Sequence, residues 1–368
     1  MQLHGTAGHI NPAIAIANKI KEKQNNSEII FIGTTRGLEN DLVPRAGYKL
    51  KTIDAYGLSK KISIDNLSKI AKTIKGISQA KKIVKEFKPD IVIGTGGYIC
   101  GAAILAAKKY NVPAVLHESN AFPGKAVKML SKNVDKILLG FEKAKDKLPE
   151  PQKAIVTGNP TKTKKIKYSL NEKIEKLKKL KLEPIKPVVL VFGGSQGAQK
   201  INETIIQIIK EKKNKNYQII WAAGPKQYDN IKLELENSNI DINNISGINV
   251  VPYIYNMEEV MNLADIVVAR SGALTITEIA AVGKASILIP LPNVSENHQE
   301  YNAKVLESIN AAYIIKNDEI NGDILNNKIN EIIQEKGKIE DMGKNAEKVY
   351  MKNVEEIIYN EIIKITSI

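Results

Sequence analysis

The sequence predicts an α/β protein with two domains, each built on a parallel sheet. Short apolar runs alternate with helix-forming segments along the whole chain, which is typical of parallel strands joined by helices. This alternation stops at a polar, lysine-rich stretch, Thr161–Pro187, and then restarts. The length of 368 residues agrees with two domains, because a domain usually holds about 100–200 residues.

The apolar runs give the expected strands in order. The first series is Ile29–Gly33, Asp90–Gly94, Pro113–His117, Lys136–Gly140 and Ala154–Gly158. The second series is Val188–Phe192, Tyr217–Ala222, Asn249–Val251, Asp265–Ala269 and Ser286–Pro290. Each series predicts a Rossmann-like domain, with boundaries at 1–160 and 161–345. A last helical stretch, roughly Lys338–Lys364, is expected to return, so that a helix over 346–368 completes the first domain.

The composition is that of a folded protein, with 43% hydrophobic and 26% charged residues. The single cysteine, Cys100, excludes internal disulfides and cysteine metal sites, and the four histidines lack zinc-motif spacing. No signal-peptide pattern opens the sequence, and no apolar run approaches the ~18 residues of a membrane span. A soluble protein of the cytoplasm is therefore expected.

The net charge of +14 lies almost entirely in the first half of the chain. Residues 1–160 contain 26 basic and 13 acidic side chains, whereas residues 161–368 contain 28 and 27. Such asymmetry indicates that the first domain meets a polyanion, which could be nucleic acid, anionic lipid or a phosphorylated substrate.

Four glycine-rich loops follow predicted strands or open predicted helices. Glycine lets the backbone approach a ligand, and a helix N-terminus offers free N–H groups to phosphate. One such loop is weak evidence, but four loops across two domains favour phosphate binding. None of them has the Lys-Ser/Thr ending of a nucleotide-triphosphatase loop. The loops are Gly5–His9, Gly94–Tyr98, Gly193–Gly197 and Ser271–Thr275.

Seven segments carry a resemblance to a known family. They are GTAGHINP (Gly5–Pro12), GTGGYICG (Gly94–Gly101), HESN (His117–Asn120), TGNP (Thr157–Pro160), GGSQGA (Gly193–Ala198), RSGALTITE (Arg270–Glu278) and HQEYNA (His298–Ala303). In this order they resemble the MurG family of bacterial glycosyltransferases, which transfer N-acetylglucosamine from UDP-GlcNAc to the MurNAc 4-hydroxyl of lipid I. The product is lipid II, for peptidoglycan synthesis. The resemblance implies two facing Rossmann-like domains (GT-B architecture), an acceptor site in the first and a UDP-sugar site in the second. It also implies inversion at the sugar carbon and no metal or other cofactor.

For the donor UDP-GlcNAc, the resemblance implies contacts from loops of both domains and from one helix. The implied residues are Thr6, Ala7, Gly8, Asn120, Lys162, Ser195, Ile254, Ala273, Leu274, Thr275, Ile276, Thr277, Glu278, Gln299 and Asn302. A helix over Leu274–Val282 would offer its N–H groups and dipole to the diphosphate. Glu278 could accept both ribose hydroxyls, or it could be a charge favourable to the helix dipole. Gln299 and Asn302 are three apart, on one helix face, where they could contact sugar hydroxyls.

His9 is the candidate catalytic residue. It follows the first glycine loop, where an imidazole could take the proton from the attacking acceptor hydroxyl. Equally, it could hydrogen-bond the acceptor diphosphate, and the sequence leaves both roles open. The resemblance assigns Gly96, Gly97 and Tyr98 to the acceptor.

The basic excess has a local source in Lys60–Lys88, which holds nine lysines against Asp65 and Glu86. Apolar residues recur there at helical spacing, which predicts a lysine-rich amphipathic helix. Such a helix is either an ordinary core-facing helix or a membrane-surface element. With a lipid-linked acceptor, peripheral contact with an anionic membrane surface, on the cytoplasmic face of the cell membrane, is expected.

Two positions depart from the family pattern. Only Met1, Gln2 and Leu3 precede His4, which stands where the family has the first glycine of the loop. A shortened first strand is therefore expected, with either an upstream start of the gene or marginal stability. Lys162 stands where the family usually has arginine, which keeps the charge but loses the bidentate geometry.

Two alternatives are another GT-B transferase with a different UDP-sugar or lipid acceptor, and a non-catalytic protein that binds anionic lipid or nucleic acid. Base stacking requires aromatic residues among the lysines, and Lys60–Lys88 contains only Phe87. A binding protein would also leave the second-domain motifs without a role. No nucleic-acid partner is therefore expected.

Overall fold

The structure, a computed structural model, describes residues 7–55, 64–97, 99–194 and 198–366, without the side chains of residues 7 and 64–71. The described chain divides into two compact units. Unit 1 comprises residues 1–161 together with 351–368, and unit 2 comprises residues 162–350. The expected first strand, together with Thr6, Tyr98 and Ser195, lies outside the described residues.

Unit 1 alternates strands and helices, and all of its paired strands run parallel. In chain order its elements are α1 (Ala7–Lys23), β1 (Ile30–Gly33), α2 (Glu39–Arg45), β2 (Lys49–Thr52), α3 (Ile64–Phe87), β3 (Val92–Gly94), α4 (Ile99–Lys109), β4 (Ala114–Glu118), α5 (Lys125–Leu130), β5 (Lys136–Leu139) and β6 (Ala154–Val156). Strands β3, β4, β5 and β6 form one sheet in that order, and β1 pairs with β2. Single 3₁₀ turns follow α5 and join β5 to β6.

Unit 2 repeats the alternation on a larger sheet. Its elements are α6 (Leu170–Lys179), β7 (Val188–Phe192), α7 (Gln199–Lys210), β8 (Gln218–Ala222), α8 (Tyr228–Glu236), β9 (Ile248–Val251), α9 (Met257–Leu263), β10 (Ile266–Ala269), α10 (Ala273–Val282), β11 (Ala285–Leu288), α11 (His298–Glu307), β12 (Ala312–Ile314), α12 (Gly322–Gln334) and α13 (Lys338–Glu347). A 3₁₀ turn, Ser295–Asn297, precedes α11. The last element of the chain, α14 (Val354–Thr366), belongs to unit 1.

The six strands of unit 2 are all parallel, in the order β9-β8-β7-β10-β11-β12. Numbered within the unit, this order is 3-2-1-4-5-6, which is the order of the Rossmann fold. Every residue of β7, β8, β10 and β11 is buried, as expected for a sheet covered by helices on both faces. The α/β class with two Rossmann-like domains and parallel sheets is thereby confirmed.

The C-terminal helix completes the core of unit 1. Val354, Ile358 and Ile362 of α14 pack with Ile16 of α1 and with strand residues of β4 and β5. The chain returns to unit 1 at Met351 rather than at residue 346, because α13 packs against α10 and β11 of unit 2.

Three local features differ from the sequence-based expectations. Strands β2 and β12 were not expected; β2 is largely exposed and β12 has only three residues, so neither gives a clear apolar run. The polar stretch Thr161–Pro187, for which the sequence predicted no regular element, contains α6, which begins with a capping box between Ser169 and Glu172. The helical stretch Lys338–Lys364 is two helices, α13 and α14. Among the described residues, no helix has both the length and the apolar character needed to cross a membrane.

Candidate active site

The strand order of unit 2 locates a ligand site. The connections leaving β7 and β10 go to opposite sides, because β8 lies on one flank and β11 on the other. In open parallel sheets ligands bind at the carboxyl ends of the strands at this switch point. The loop after β7 begins with Gly193 and Gly194, and the loop after β10 is Arg270–Gly272. The described residues of both motifs therefore follow the two neighbouring strands that flank the switch point.

Helix α10 begins at this edge with N–H groups that receive no cap from the described residues. Its first intrahelical hydrogen bond runs from the Ile276 N–H to the Gly272 carbonyl, at 3.0 Å. The N–H groups of Ala273, Leu274 and Thr275 therefore precede the helical pattern, and no described side chain caps them. A helix N-terminus of this kind favours an anion, through its N–H groups and its dipole. Ile276 and Thr277, also expected to bind the donor, are buried, and the Thr277 hydroxyl donates to the Ala273 carbonyl at 3.0 Å.

The loop before α10 is fixed by buried hydrogen bonds. The guanidinium of Arg270 donates to the carbonyls of Ile289 and Pro290, at 3.0 and 3.3 Å. The Ser271 hydroxyl donates to the Gln299 carbonyl at 2.7 Å, and the Asn302 amide donates to the Ser271 carbonyl at 3.1 Å. This loop is therefore held in place by the end of β11 and by α11.

Gln299 and Asn302 lie on α11, but their environments differ. Asn302 is fully buried, and its amide hydrogen bond to the Ser271 carbonyl holds the loop in place. Gln299 is partly buried, and its side-chain oxygen accepts the Leu291 N–H at 2.9 Å. Contact of either residue with a sugar stays a prediction.

Glu278 lies on α10, with a partly buried side chain. Burial raises the pKa of its carboxyl to about 7, and a hydrogen bond with the Thr163 side chain opposes that shift. A carboxylate here can accept two hydroxyl groups at once, which is the geometry that a ribose diol needs.

Two further donor candidates of unit 2, Ile254 and Lys162, lie outside these motifs. Ile254 is buried in the loop after β9, whose carboxyl end faces the same edge of the sheet as those of β7 and β10. Lys162 is exposed and is the first residue of unit 2.

In unit 1 the structure brings His9 and the loop Gly94–Gly97 together. Gly96 and Gly97 have φ angles of 95° and 74°, in the left-handed region. A Cβ atom on Gly96 would lie 2.8 Å from His9 Cδ2, and one on Gly97 would lie 3.7 Å from His9 Nδ1. The Thr95 hydroxyl donates to the His9 carbonyl at 2.7 Å. The candidate base and the candidate acceptor loop therefore touch, near the first turn of α1, which also holds Ala7 and Gly8.

The loop after β4 is organised by a buried carboxylate. Glu118 Oε1 accepts the Asn120 N–H at 2.8 Å and its side-chain amide at 3.0 Å, and Oε2 accepts the Gly124 N–H at 2.7 Å. Burial raises the pKa of Glu118 and lowers that of His117 to about 4, so His117 is neutral in the core. Glu118 thus fixes the position of Asn120, whose contact with the donor stays a prediction.

No group of three or more His, Cys, Asp or Glu side chains lies close enough to hold a metal ion within the described part of the chain. The candidate donor site is built instead from backbone N–H groups, from one carboxylate and from amides.

Comparison with known proteins identifies the family. The profile of the glycosyltransferase family 28 N-terminal domain matches residues 1–139, and that of its C-terminal domain matches residues 188–358. The chain is 42% identical over 362 residues to a UDP-N-acetylglucosamine--N-acetylmuramyl-(pentapeptide) pyrophosphoryl-undecaprenol N-acetylglucosamine transferase of Thermoanaerobacter sp. (strain X514), covering 98% of both chains. The chain belongs to glycosyltransferase family 28.

Two further comparisons agree with this family 28 assignment. A transferase of the same name from Acetivibrio thermocellus is 42% identical over 98% of this chain and 95% of its own. The crystal structure of Acinetobacter baumannii MurG superposes with a TM-score of 0.76 at 25% identity, covering 98% of this chain and 97% of that one. The resemblance to the MurG family is therefore confirmed.

The structure of this family 28 chain also adds site residues that the sequence did not single out. Arg270 anchors the loop before α10, and Thr163 contacts Glu278. Arg270 lies inside a recognised motif, but its bonds to the carbonyls after β11 require the folded sheet. Thr163 lies over 100 residues from Glu278, and no spacing in the sequence indicates their contact.

Proposed function

We propose that this protein transfers N-acetylglucosamine from UDP-GlcNAc to the 4-hydroxyl of the MurNAc of lipid I, and so forms lipid II. The observation that carries the proposal is the 42% identity over 98% of the chain to transferases of that name. The proposal is also supported by the switch point of unit 2, because α10 begins there and carries Glu278.

The donor lies on unit 2. Its diphosphate accepts hydrogen bonds from the N–H groups of Ala273–Thr275. Its ribose hydroxyls donate hydrogen bonds to the Glu278 carboxylate. The backbone at Ile254 recognises the base. Gln299 and Asn302 contact the sugar or support the loop beside it. Ser195 and Lys162 contact the phosphates. For Asn120 and the segment Thr6–Gly8 of unit 1, a donor contact stays a prediction from the family resemblance.

Transfer proceeds by a single displacement that inverts the sugar carbon. The acceptor oxygen forms a bond to that carbon while the bond to the UDP oxygen breaks. The helix dipole and N–H groups of α10 stabilise the negative charge that develops on the leaving UDP, which is a task for preorganised donors. Because these groups supply the stabilisation, the reaction needs no divalent ion.

The acceptor lies on unit 1, at Gly96, Gly97 and Tyr98. His9, which rests against the two glycines, either accepts the proton of the attacking hydroxyl or donates a hydrogen bond to the acceptor diphosphate. Both roles depend on an imidazole ring that lies beside Gly96 and Gly97.

The same unit contacts an anionic membrane surface, on the cytoplasmic face. Helix α4 packs against both α3 and α5. Ile74 of α3 is 63% exposed and Met129 of α5 is 78% exposed, and lysines surround both residues in the sequence. Apolar side chains among exposed lysines are typical of helices that lie on lipid headgroups.

The test is a transfer assay with UDP-GlcNAc and a water-soluble lipid I analogue, in parallel with calorimetry of UDP-GlcNAc binding in excess EDTA. Product formation and binding without divalent ions are expected. Transfer from another UDP-sugar only, or to another lipid acceptor only, would contradict the substrate assignment. Loss of binding under chelation would contradict the metal-independent mechanism alone.

A further inference from the structure

The first turn of α1, which carries His9, lacks one of the hydrogen bonds that usually hold the start of a helix. Pro12 lies inside this helix. Proline has no N–H group, so the bond that residue 12 would donate to the Gly8 carbonyl is missing, and its ring crowds that carbonyl. The position of this turn therefore depends more strongly on contacts from outside α1.

Thr95 supplies such a contact from the glycine loop after β3. Its hydroxyl donates to the His9 carbonyl at 2.7 Å, although the two residues are 86 positions apart in the sequence. A carbonyl oxygen has two lone pairs, so it can accept this bond beside one from its own helix. The bond ties the backbone of His9 to the loop Gly94–Gly97.

The same loop also limits the position of the His9 ring. A Cβ atom on Gly96 would lie 2.8 Å from His9 Cδ2 and 3.1 Å from Nε2, and one on Gly97 would lie 3.7 Å from Nδ1. The ring therefore occupies the space that a side chain on either glycine would fill. Thr95 holds the backbone of His9, and the next two residues of the loop lie against its ring.

The loop is itself anchored on the other side, by α4 and β4. The thiol of Cys100, a buried residue of α4, donates to the Gly97 carbonyl at 3.1 Å. A Cβ atom on Gly94 would lie 3.0 Å from Cys100 Cβ and 3.0 Å from Leu116 Cδ2. A loop that packs this closely on its neighbours is a firm support for the first turn of α1.

The hydrogen bond to His9 uses the only proton of the Thr95 hydroxyl. A threonine hydroxyl donates one hydrogen bond, and the oxygens of an ionised phosphate are acceptors. While Thr95 donates to the His9 carbonyl, it cannot also donate to the acceptor diphosphate. Its place in the acceptor loop is therefore explained by positioning of His9 rather than by direct binding of phosphate.

We propose that Thr95 is a positioning residue for His9, whose hydroxyl fixes the first turn of α1 on the loop Gly94–Gly97 and so keeps the imidazole beside Gly96 and Gly97. This inference rests on the proposed function of His9 in transfer, and it applies to either of the two roles given to the imidazole. Displacement of a reacting group by about 1 Å can cost about 100-fold in rate. Loss of one hydrogen bond at this turn is therefore expected to affect catalysis.

The experiment measures kcat and KM for UDP-GlcNAc and for a water-soluble acceptor, with the full-length wild type, Thr95→Val and Thr95→Ser. Valine has nearly the shape of threonine but no hydroxyl. For Thr95→Val, kcat/KM for the acceptor should fall roughly 3- to 10-fold, as expected for one lost hydrogen bond. The KM for UDP-GlcNAc should hardly change, because the unit 2 contacts are intact. Thr95→Ser keeps the hydroxyl and should restore the wild-type constants.

A double-mutant cycle tests whether Thr95 acts through His9. In the His9→Ala background there is no imidazole to position, so the addition of Thr95→Val should lower kcat/KM no further. Thr366→Val is the matched control. Thr366 is a partly buried threonine of unit 1, on α14, whose hydroxyl donates within its own helix to the Ile362 carbonyl at 3.3 Å. Its replacement should leave the kinetic constants unchanged.

Nuclear magnetic resonance gives a second readout, which does not require activity. In the ligand-free protein labelled with nitrogen-15 histidine, Thr95→Val should shift the ring resonances of His9, which are assigned by their absence in His9→Ala. The resonances of His298, in unit 2, should stay in place. Thr95→Ser should return the His9 resonances to their wild-type positions.

The outcomes separate this proposal from the transferase proposal. Equal relative losses from Thr95→Val in the wild-type and His9→Ala backgrounds, or unchanged His9 ring resonances, would overturn the role of Thr95 and leave the transferase proposal standing. A loss in Thr95→Ser as large as that in Thr95→Val would also overturn it, because serine keeps the hydroxyl. Wild-type protein that transfers no N-acetylglucosamine would overturn the transferase proposal, and the ring resonances would still decide whether Thr95 positions His9.

Discussion

His9 has two proposed roles, as the general base or as a hydrogen-bond donor to the acceptor diphosphate. Replacement by alanine removes either role, but glutamine can still hydrogen-bond a phosphate while it cannot accept a proton near neutral pH. If His9 is the general base, kcat for His9→Gln should fall about 10²–10⁴-fold. The KM for UDP-GlcNAc should hardly change, because the unit 2 contacts are intact. Steady-state kinetics with a soluble acceptor measures both constants.

The opposite result is equally informative for His9. Near-normal kcat for His9→Gln, together with a large loss for His9→Ala, would assign the imidazole to acceptor binding and exclude it as the base.

Gly96 controls the position of the His9 imidazole. Gly96→Ala should lower kcat about 10- to 100-fold, because the added Cβ would lie 2.8 Å from His9 Cδ2 and must displace the ring. Gly97→Ala is the control: it also has positive φ, but its Cβ would meet His9 only at 3.7 Å. Equal losses in the two variants would show that backbone strain, rather than the imidazole position, limits the rate.

At the scale of single elements, helix α3 is fixed to the strand layer of unit 1 at Gly76. A Cβ atom on Gly76 would lie 1.8 Å from the Asp54 carbonyl oxygen, just beyond β2. Gly76→Ala should therefore lower the free energy of unfolding of unit 1 by about 1–3 kcal/mol, as overpacking does. Chemical denaturation followed by circular dichroism measures this change.

A second helical glycine of the same unit gives the control. In Gly101→Ala, the nearest atom to the new Cβ is Leu130 Cδ1 at 3.9 Å, so the substitution should stabilise by roughly 0.5–1 kcal/mol, the usual gain for a helix interior. The same sign for both variants would contradict the close contact at Gly76.

Helix α14 is fixed to unit 1 by an ion pair between Glu361 and Lys136 of β5, and Lys364 also contacts Glu361. Burial tends to raise the pKa of Glu361, but the hydrogen bonds from Lys136 and Lys364 together hold it below its usual value. The pair therefore contributes stability above the unfolded pKa of about 4.3, and this is lost as pH falls through the folded pKa.

Glu361→Gln should destabilise unit 1 by about 1–3 kcal/mol at pH 7, and the difference from wild type should vanish in acid. Thermal unfolding at several pH values tests both statements. Glu356→Gln, at a less buried residue of the same helix, breaks contacts with Lys19 and Lys23 and should have a smaller effect. A larger effect for Glu356 would contradict the importance of the buried pair.

The element-scale predictions from sequence succeeded where a segment was long or fully buried. The strands at the core of unit 2 were located to within a residue or two, because continuous apolar runs identify them. The break between α13 and α14 was missed because both helices carry a helical apolar pattern, and only their different packing partners show where one ends. Helix α6 was missed, although the Ser169–Glu172 capping pattern was readable in the sequence.

For the whole molecule, the charge asymmetry makes a prediction about membrane binding. Lys72, Lys82 and Lys85 are exposed on α3, and a lysine near an anionic surface contributes about 1 kcal/mol. Reversal of these three charges should reduce sedimentation with anionic vesicles and weaken its salt dependence. Activity on a water-soluble acceptor should persist.

Lys75 is left unchanged in this variant, because it pairs with Asp54 at 3.0 Å and helps to hold α3 in place. Reversal of three exposed lysines of unit 2, Lys178, Lys179 and Lys215, is the control, and it should leave vesicle binding intact. Equal effects from both sets would show that total charge, rather than α3, determines binding to the membrane.

The sequence alone determined the α/β class, the parallel sheets and the family, because buried parallel strands leave continuous apolar runs and the glycine loops leave recognisable spacings. It also placed the candidate donor contacts on α10 and α11, since these lie within single motifs. The tertiary structure alone decided that His9 touches Gly96, that Arg270 and Asn302 hold the loop before α10, and that Thr163 contacts Glu278. Each of these contacts joins residues that are distant in sequence or depends on which face is buried. Local patterns do not encode such contacts, because strand order and helix packing bring those residues together.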